Sequence, residues 1–141
     1  MRIFFYLFIL LLFNVTITTT AGELKINVTN ILNNVGSIHY ALYDDPGSFP
    51  EEQGKISGGN KRVEDVIAHG ILIKELNESY YAVAIFHDEN SNKKFDTFLS
   101  IPKEYYGFSN NAPVFFGPPK FEDAAVFVKQ DNTTEIEIEL R

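Results

Sequence analysis

The chain of 141 residues carries 12 Lys and Arg against 19 Asp and Glu, a formal net charge of -7, and it has no cysteine. An acidic surface repels phosphate backbones, so this composition argues against nucleic acid as a partner. The absence of cysteine excludes thiol catalysis and cysteine metal sites, and the domain must hold together by its hydrophobic core alone.

The first 21 residues have the pattern of a secretory signal peptide. Arg2 is followed by an apolar run from Ile3 to Phe13, and small residues close the segment at Ala21. The run is shorter than the roughly 20 apolar residues that a membrane span needs. We therefore expect residues 1–21 to be removed, which leaves one domain over residues 22–141 with no transmembrane span, in the periplasm or outside the cell. An uncleaved N-terminal anchor is the alternative interpretation.

Alternating apolar and polar residues predict short strands along most of the remaining chain. The first two predicted strands run from Leu24 to Val28 and from Val35 to Tyr43. The stretch from Asp44 to Gly54 is rich in Pro and Gly and indicates an irregular connection, and Gly58-Gly59-Asn60 indicates a turn. Val63 to His69 is ambiguous between a helical turn and a strand, and its β-branched residues favour a strand.

The stretch from Ser79 to His87 is apolar on both faces, which predicts a central strand buried on both sides. It follows a predicted strand from Ile71 to Leu76. After a long excursion come predicted strands from Ala124 to Val128 and from Thr134 to Leu140, the last with a solvated row of glutamates. The pattern predicts an all-β fold, a seven-stranded antiparallel β-sandwich that is immunoglobulin-like or prealbumin-like, with a long ordered loop after the central strand.

The residues that follow the central strand form a loop dense in oxygen ligands. Asp88, Asn90, Asn92 and Asp96 stand at positions 1, 3, 5 and 9 of a D-x-N-x-N-x-x-x-D pattern. Alternate side chains on a tight loop converge on one point, and calcium is the cation that such a set of oxygens suits. Lys93 stands where a helix-loop-helix calcium loop has Gly, so a second interpretation stays open. In that interpretation the loop is an Asx-rich turn closed by hydrogen bonds from backbone N–H groups.

His87, beside Asp88 at the end of the central strand, is the best single catalytic candidate in the sequence. No Ser or Thr nucleophile motif accompanies it, and His39 would join it only if both side chains shared one face of the sheet. The sequence therefore favours a non-catalytic module, and we assign no catalytic residue. The alternative is a cation-dependent or His-assisted hydrolase that uses His87, Asp88, Asp96 and Glu104.

The excursion between Asp88 and Phe121 holds eight Phe and Tyr residues. A loop this long in a compact domain is functional or disordered, and its aromatic content argues against disorder. In one interpretation its aromatic rings complete the hydrophobic core. In the other, Tyr105, Tyr106 and Phe108, together with Asn110, form an exposed platform that binds a protein, a peptide or a glycan.

The segments AVAIFHDENSNKKFDT, GFSNNA and FGPPKFEDAAV follow one another between Ala82 and Val128. They resemble the patterns H-D-x-N-x-N-x-x-x-D, P-x-E-x-x-G-F-S-N-N and P-x-F-x-x-A of an exported bacterial family known as domain of unknown function 2141. Members of that family more often carry Gly where this chain has Ser91 or Lys93, and Ser79. The resemblance implies an exported β-sandwich and implies no activity. We therefore expect a non-catalytic binding or accessory module of the bacterial envelope.

Overall fold

The structure, a computed structural model, describes residues 20–141, and the predicted signal peptide lies outside these residues except for its last two. The described residues form a mostly β fold, and none of their helices is long and apolar enough to cross a membrane. The strands are β1 (Gly22–Thr29), β2 (Ser37–Tyr43), β3 (Ser57–Arg62), β4 (Ile71–Leu76), β5 (Ser79–Asp88), β6 (Thr97–Phe98), β7 (Ile101–Pro102), β8 (Tyr106–Phe108), β9 (Val126–Val128) and β10 (Thr133–Glu139). The helices are α1 (Val63–His69) and α2 (Phe121–Ala124), with 3-10 turns at Glu52–Gly54 and Ser109–Asn111.

The strands of residues 20–141 form two larger sheets and one small hairpin. The three-stranded sheet has the order β10-β1-β4, and the five-stranded sheet has the order β3-β2-β5-β8, with β9 also paired to β5. Strands β6 and β7 pair only with each other. The pairs are antiparallel except that β10 runs parallel to β1, which departs from the predicted all-antiparallel pairing. No short turn joins β1 to β10, so no turn geometry dictates their relative direction.

The predicted central strand is confirmed as β5, and it is buried on both faces. On one face Val83 and Ile85 join a hydrophobic cluster that also includes Ile26 of β1 and Ile138 of β10, so both sheets contribute to one core. On the other face Ala82 joins a second cluster with aromatic residues that follow β5 in the chain. The alternation of side chains along a strand supplies both clusters from one segment.

Two local predictions are wrong. Residues 63–69 form helix α1 rather than a strand, because Val63 and Val66 stand one helical turn apart and both are buried. The helix ends at Gly70, which has a φ of +69° and donates its N–H to the carbonyl oxygen of Val66 at 2.8 Å. The predicted turn at Gly58-Gly59-Asn60 lies within edge strand β3, which is held by its ladder with β2.

The excursion after β5 contains short strands and a 3-10 turn, and we refer to residues 88–121 as the flap. Its first part is the polar loop, its second part is the β6–β7 hairpin, and its third part returns to the sheet as β8. Strand β8 pairs Ala84 with Phe108 and Phe86 with Tyr106. The flap is therefore attached to the five-stranded sheet along the same strand from which it departs.

Candidate functional site

The polar loop after β5 closes on itself through its own side chains. Asp88 is fully buried, and its Oδ1 accepts the N–H of Asn92 at 3.1 Å while its Oδ2 accepts the N–H of Lys93 at 2.8 Å. The side-chain oxygen of Asn90 accepts the N–H of Asn92 at 3.0 Å. The side-chain oxygen of Asn92 accepts the N–H of Lys94 at 2.8 Å. Each of these oxygens thus satisfies a backbone donor in the manner of an Asx turn.

The four predicted metal ligands lie in one hydrogen-bonded network. Asn90 and Asn92 both donate from Nδ2 to Oδ2 of Asp96, at 2.7 and 2.8 Å. The amide N–H groups face this carboxylate, and the amide oxygens face the backbone, so a cation beside Asp96 would require both amides to turn over. Within residues 20–141 no group of three or more His, Asp or Glu side chains is placed to hold a metal ion.

A histidine from another strand contacts this loop. Nε2 of His39 lies 3.2 Å from Oδ2 of Asp88 and 3.1 Å from Oγ of Ser37. Burial lowers the pKa of His39, an effect that the neighbouring Asp88 only partly opposes, so the ring is neutral at pH 7. A Ser-His-Asp triad needs the serine and the carboxylate on different ring nitrogens. Here both contact Nε2, and the three residues instead join β2 to the flap.

His87 lies in the core rather than in the polar loop. It is fully buried, and its Nε2 donates to the carbonyl oxygen of Val35 at 2.7 Å. In the ladder between β2 and β5, His39 stands opposite Phe86 and Ile38 stands opposite His87. The two histidines therefore point to opposite faces of the sheet, and so do His87 and its neighbour Asp88. Neither a two-histidine site nor the His87–Asp88 pair of the hydrolase hypothesis is assembled.

Glu104, the fourth member of the hydrolase hypothesis, closes the base of the β6–β7 hairpin. Its Oε2 accepts the N–H of Asp96 at 3.0 Å, and the carbonyl oxygen of Asp96 accepts the N–H of Lys103 at 2.9 Å. Burial raises the pKa of Glu104, and the carboxylate of Asp96 raises it further. The other side-chain oxygen is buried without a hydrogen-bond partner in the described part of the chain.

The turn after β8 fixes the far end of the flap. Ser109 is fully buried, and its Oγ accepts the N–H of Val83 at 2.8 Å and donates to the carbonyl oxygen of Ala124 at 2.5 Å. Asn110, with a φ of +57°, donates from Nδ2 to the carbonyl oxygen of Ala125 at 2.7 Å. The sequence predicts Asn110 as a ligand-binding residue, and the structure shows it tying the flap to the chain beyond α2.

The predicted aromatic platform is largely internal. Phe108 is only 8% exposed, and Tyr105 and Tyr106 are half-buried. The ring centroids of Tyr106 and Phe108 lie 6.0 Å apart, and the two rings belong to a row that crosses the outer face of the five-stranded sheet. Phe95 extends this row at 5.6 Å from Tyr106, and Phe49 extends it at 5.7 Å from Phe108. Core completion therefore accounts for these rings, with Phe108 closed to any ligand.

The most exposed apolar side chains of the flap lie elsewhere, at two tips that the sequence reasoning missed, while Phe95 within the row is 41% exposed. At the β6–β7 hairpin, Phe98 is 64%, Leu99 is 82% and Ile101 is 66% exposed. In the loop before α2, Phe115 is 82% exposed and Phe116 is fully exposed. The sequence does carry a signal for these tips. Ile101 is followed directly by Pro, and Phe116 is followed directly by Gly-Pro, and both contexts favour a projecting turn.

These features define a class of protein, a mostly β domain with a polar and aromatic flap. A family model described as "Uncharacterized protein conserved in bacteria (DUF2141)" matches residues 26–137. The chain belongs to this bacterial family, and the resemblance seen in the sequence is confirmed. Comparison with curated proteins and with solved structures finds no match.

Proposed function

We propose that the protein is an exported, non-catalytic binding or accessory module of the bacterial envelope. Its two sheets form a sandwich of the immunoglobulin-like or prealbumin-like kind, and this body presents the flap. The observation that carries the proposal is a contrast within the flap, whose base is fixed by buried polar contacts while its tips expose large apolar side chains. Binding residues are commonly placed on loops that a rigid scaffold positions, and exposed apolar patches commonly mark interaction sites.

The non-catalytic part of the proposal is supported by where the histidines lie. A general base must reach its substrate, and His87 is fully buried in the core. His39 uses a single ring nitrogen, Nε2, for both Ser37 and Asp88, which leaves no relay between them. We therefore propose that the flap binds a partner rather than catalyses a reaction.

Export is supported by the apolar run at the start of the chain and by the resemblance of its motifs to an exported family. The test is expression in a bacterium, followed by cell fractionation and N-terminal sequencing of the recovered protein. We expect the protein in the envelope or medium, with a chain that begins at Gly22. Recovery of the full-length chain from the cytoplasm would contradict the proposal.

Binding through the flap is tested by placing a photo-reactive amino acid at Phe116 or at Leu99 in growing cells. Lys74, an exposed residue of β4 on the other sheet, is the matched control position. We expect a discrete adduct from a flap position and none from position 74. The same adducts from all three positions, or none from either flap position, would contradict the binding of a protein or peptide through the flap.

We further propose that hydrogen bonds, rather than a cation, hold the polar loop closed. The proposal is supported by the amide groups of Asn90 and Asn92, which donate to Asp96. A calcium ion at 100 times its dissociation constant would stabilise the fold by about 2.7 kcal/mol, or about 10 °C in melting temperature. We expect melting curves in chelator and in excess calcium to superimpose, and a calcium-dependent rise of that size would instead establish the predicted calcium site.

A further inference from the structure

The tip of the β6–β7 hairpin has an unusual residue at its turn. Phe98 pairs with Ile101, so Leu99 and Ser100 form a two-residue loop. Both have positive φ, +49° and +65°, which is the backbone of a type I′ turn. This turn favours Asn-Gly or a similar pair, because Gly and Asn tolerate left-handed backbone.

Leu99 does not suit this position on grounds of folding. At positive φ the β-carbon of an L-residue crowds a backbone carbonyl oxygen, and leucine has no polar side chain to compensate. Leu99 is also 82% exposed, so it gains little from burial in its own chain. Leucine thus suits neither the left-handed backbone nor the exposed position of residue 99, which indicates that its apolar side chain makes a contact outside the chain.

The exposed charges of the flap differ in sign from those of the whole protein. The chain as a whole has a net charge of -7. Among residues 88–121 one acidic side chain is exposed, Glu89, since Asp88 is buried and Asp96 and Glu104 are partly covered. The exposed basic residues of the same segment are Lys93, Lys94, Lys103 and Lys120. The flap therefore carries an apolar hairpin tip and an excess of exposed lysines on an otherwise acidic protein.

We propose that the hairpin tip inserts into the interface of a bilayer that contains anionic phospholipid, an inference that rests on the proposed function of the flap as a binding element. Phe98, Leu99 and Ile101 enter the boundary between headgroups and acyl chains, and the lysines meet the lipid phosphates. Apolar groups combined with Lys bind anionic bilayers in this way, with the lysine stems also lying along apolar surface. A projecting tip needs no complementary pocket in its target, and the acidic remainder of the chain is repelled, which orients the flap toward the bilayer.

The test uses the absence of cysteine, because Leu99→Cys then provides a single attachment point for an environment-sensitive dye. The protein is mixed with vesicles of phosphatidylethanolamine and phosphatidylglycerol, or with vesicles of phosphatidylcholine alone. We expect a blue-shifted, brighter emission with the anionic vesicles, quenching by lipids brominated in their tails, and a weaker response at high salt. The same dye on Lys74→Cys is the control and should not respond. The N-terminal apolar run is the same in both labelled proteins, so any binding to vesicles that it contributes affects both equally.

Two further variants separate binding from folding. The first variant is Leu99→Asn in a protein that carries the dye at Ile101→Cys, and its parent is the same labelled protein with Leu99. Because Asn suits the type I′ turn, the variant should melt at or above the melting temperature of its parent. Its dye response to vesicles should fall at least tenfold. Replacing Lys93, Lys94 and Lys103 by Gln should weaken binding about fivefold per lysine at low salt. A purely structural leucine would give the opposite pattern for the first variant, with lower stability and unchanged binding.

The proposal is overturned if the dye at position 99 stays in water with every vesicle, or if zwitterionic and anionic vesicles give equal responses. A protein adduct from position 99 in cells, combined with no vesicle response, would overturn the lipid target and leave the binding module standing with a protein occupant. No vesicle response together with no adduct from position 99 or position 116 would contradict the proposed function as well.

Discussion

Replacing Asp88 with Asn tests whether this buried carboxylate anchors the flap. The two side chains have nearly the same shape, but the amide keeps only one of the two acceptor oxygens. In the structure one oxygen accepts the N–H of Asn92 and the other accepts the N–H of Lys93. In Asp88→Asn one of these two backbone donors therefore faces an NH₂ group instead of an oxygen.

The expected loss follows from these contacts. A hydrogen bond to a charged group contributes about 1.5–3 kcal/mol, and the freed donor, which is only partly buried, adds less than the roughly 1–3 kcal/mol of a fully buried one. No ion pair is lost in addition, because the lowered pKa of His39 keeps that ring neutral at pH 7. Relief from burying the carboxylate charge offsets part of the loss. We expect a net destabilisation of about 2–3 kcal/mol, which for a domain of this size lowers the melting temperature by about 10 °C.

The assay is thermal and urea unfolding followed by circular dichroism, with Asp44→Asn as the control. Asp44 is exposed, and its replacement should change stability by no more than about 0.5 kcal/mol. If Asp88→Asn melts within about 2 °C of the parent, the carboxylate is not an anchor and the reasoning about the loop is refuted.

Three further predictions concern backbone conformation, a buried hydroxyl and pH. Lys93 has a φ of +62°, so Lys93→Gly should stabilise the fold by about 0.5–1 kcal/mol. Lys94 has an ordinary φ, so the control Lys94→Gly should destabilise the fold. Urea denaturation measures both free energies of unfolding, and equal effects of the two substitutions would contradict the prediction. Ser109→Ala removes the partner of two buried backbone groups and should lower the unfolding free energy by about 2–4 kcal/mol, so a near-neutral result would count against that anchor. The pKa of His39 lies below its ordinary value of 6.5, so below pH 6.5 the unfolded chain binds more protons than the folded one, and the free energy of unfolding falls as pH drops through 6.5. In His39→Gln this fall should be shallower. A pH profile of stability that is the same in both proteins would refute the prediction.

The part of the fold that depends on local alternation could be predicted from the sequence. Strand β5 shows this, since each face carries its own apolar series and the structure buries both. Residues 63–69 could not be assigned, because seven residues are too few to separate a period of 3.6 from one of 2, and the β-branched content pointed the wrong way. Gly58 and Gly59 are in a strand only because β2 provides a partner, which is a tertiary effect that no local pattern carries.

The candidate site was predicted in part for the same reason. The Asp and Asn spacing left a calcium site and an Asx-rich turn open. The hydrogen bonds of the second kind could be foreseen because they join residues within a few positions of one another. The contact between His39 and Asp88 depends on the register of two strands, which the sequence does not provide. The burial of Phe108 likewise depends on Phe49, which is distant in the chain. Of the two interpretations that the sequence left open, the exposed platform fails at Phe108, which the fold covers, while Tyr105 and Tyr106 are half-buried.

Amide hydrogen exchange across the flap tests most directly whether it is one fixed element that presents exposed tips. The N–H groups of Asn92, Lys93 and Lys103 lie in surface segments, yet each donates to an oxygen within the flap. We expect these three to be strongly protected and to exchange far more slowly than those of Phe115 and Phe116 at the exposed tip. Equally fast exchange at all five positions would mean that the flap is not anchored, and the account of its function would fail.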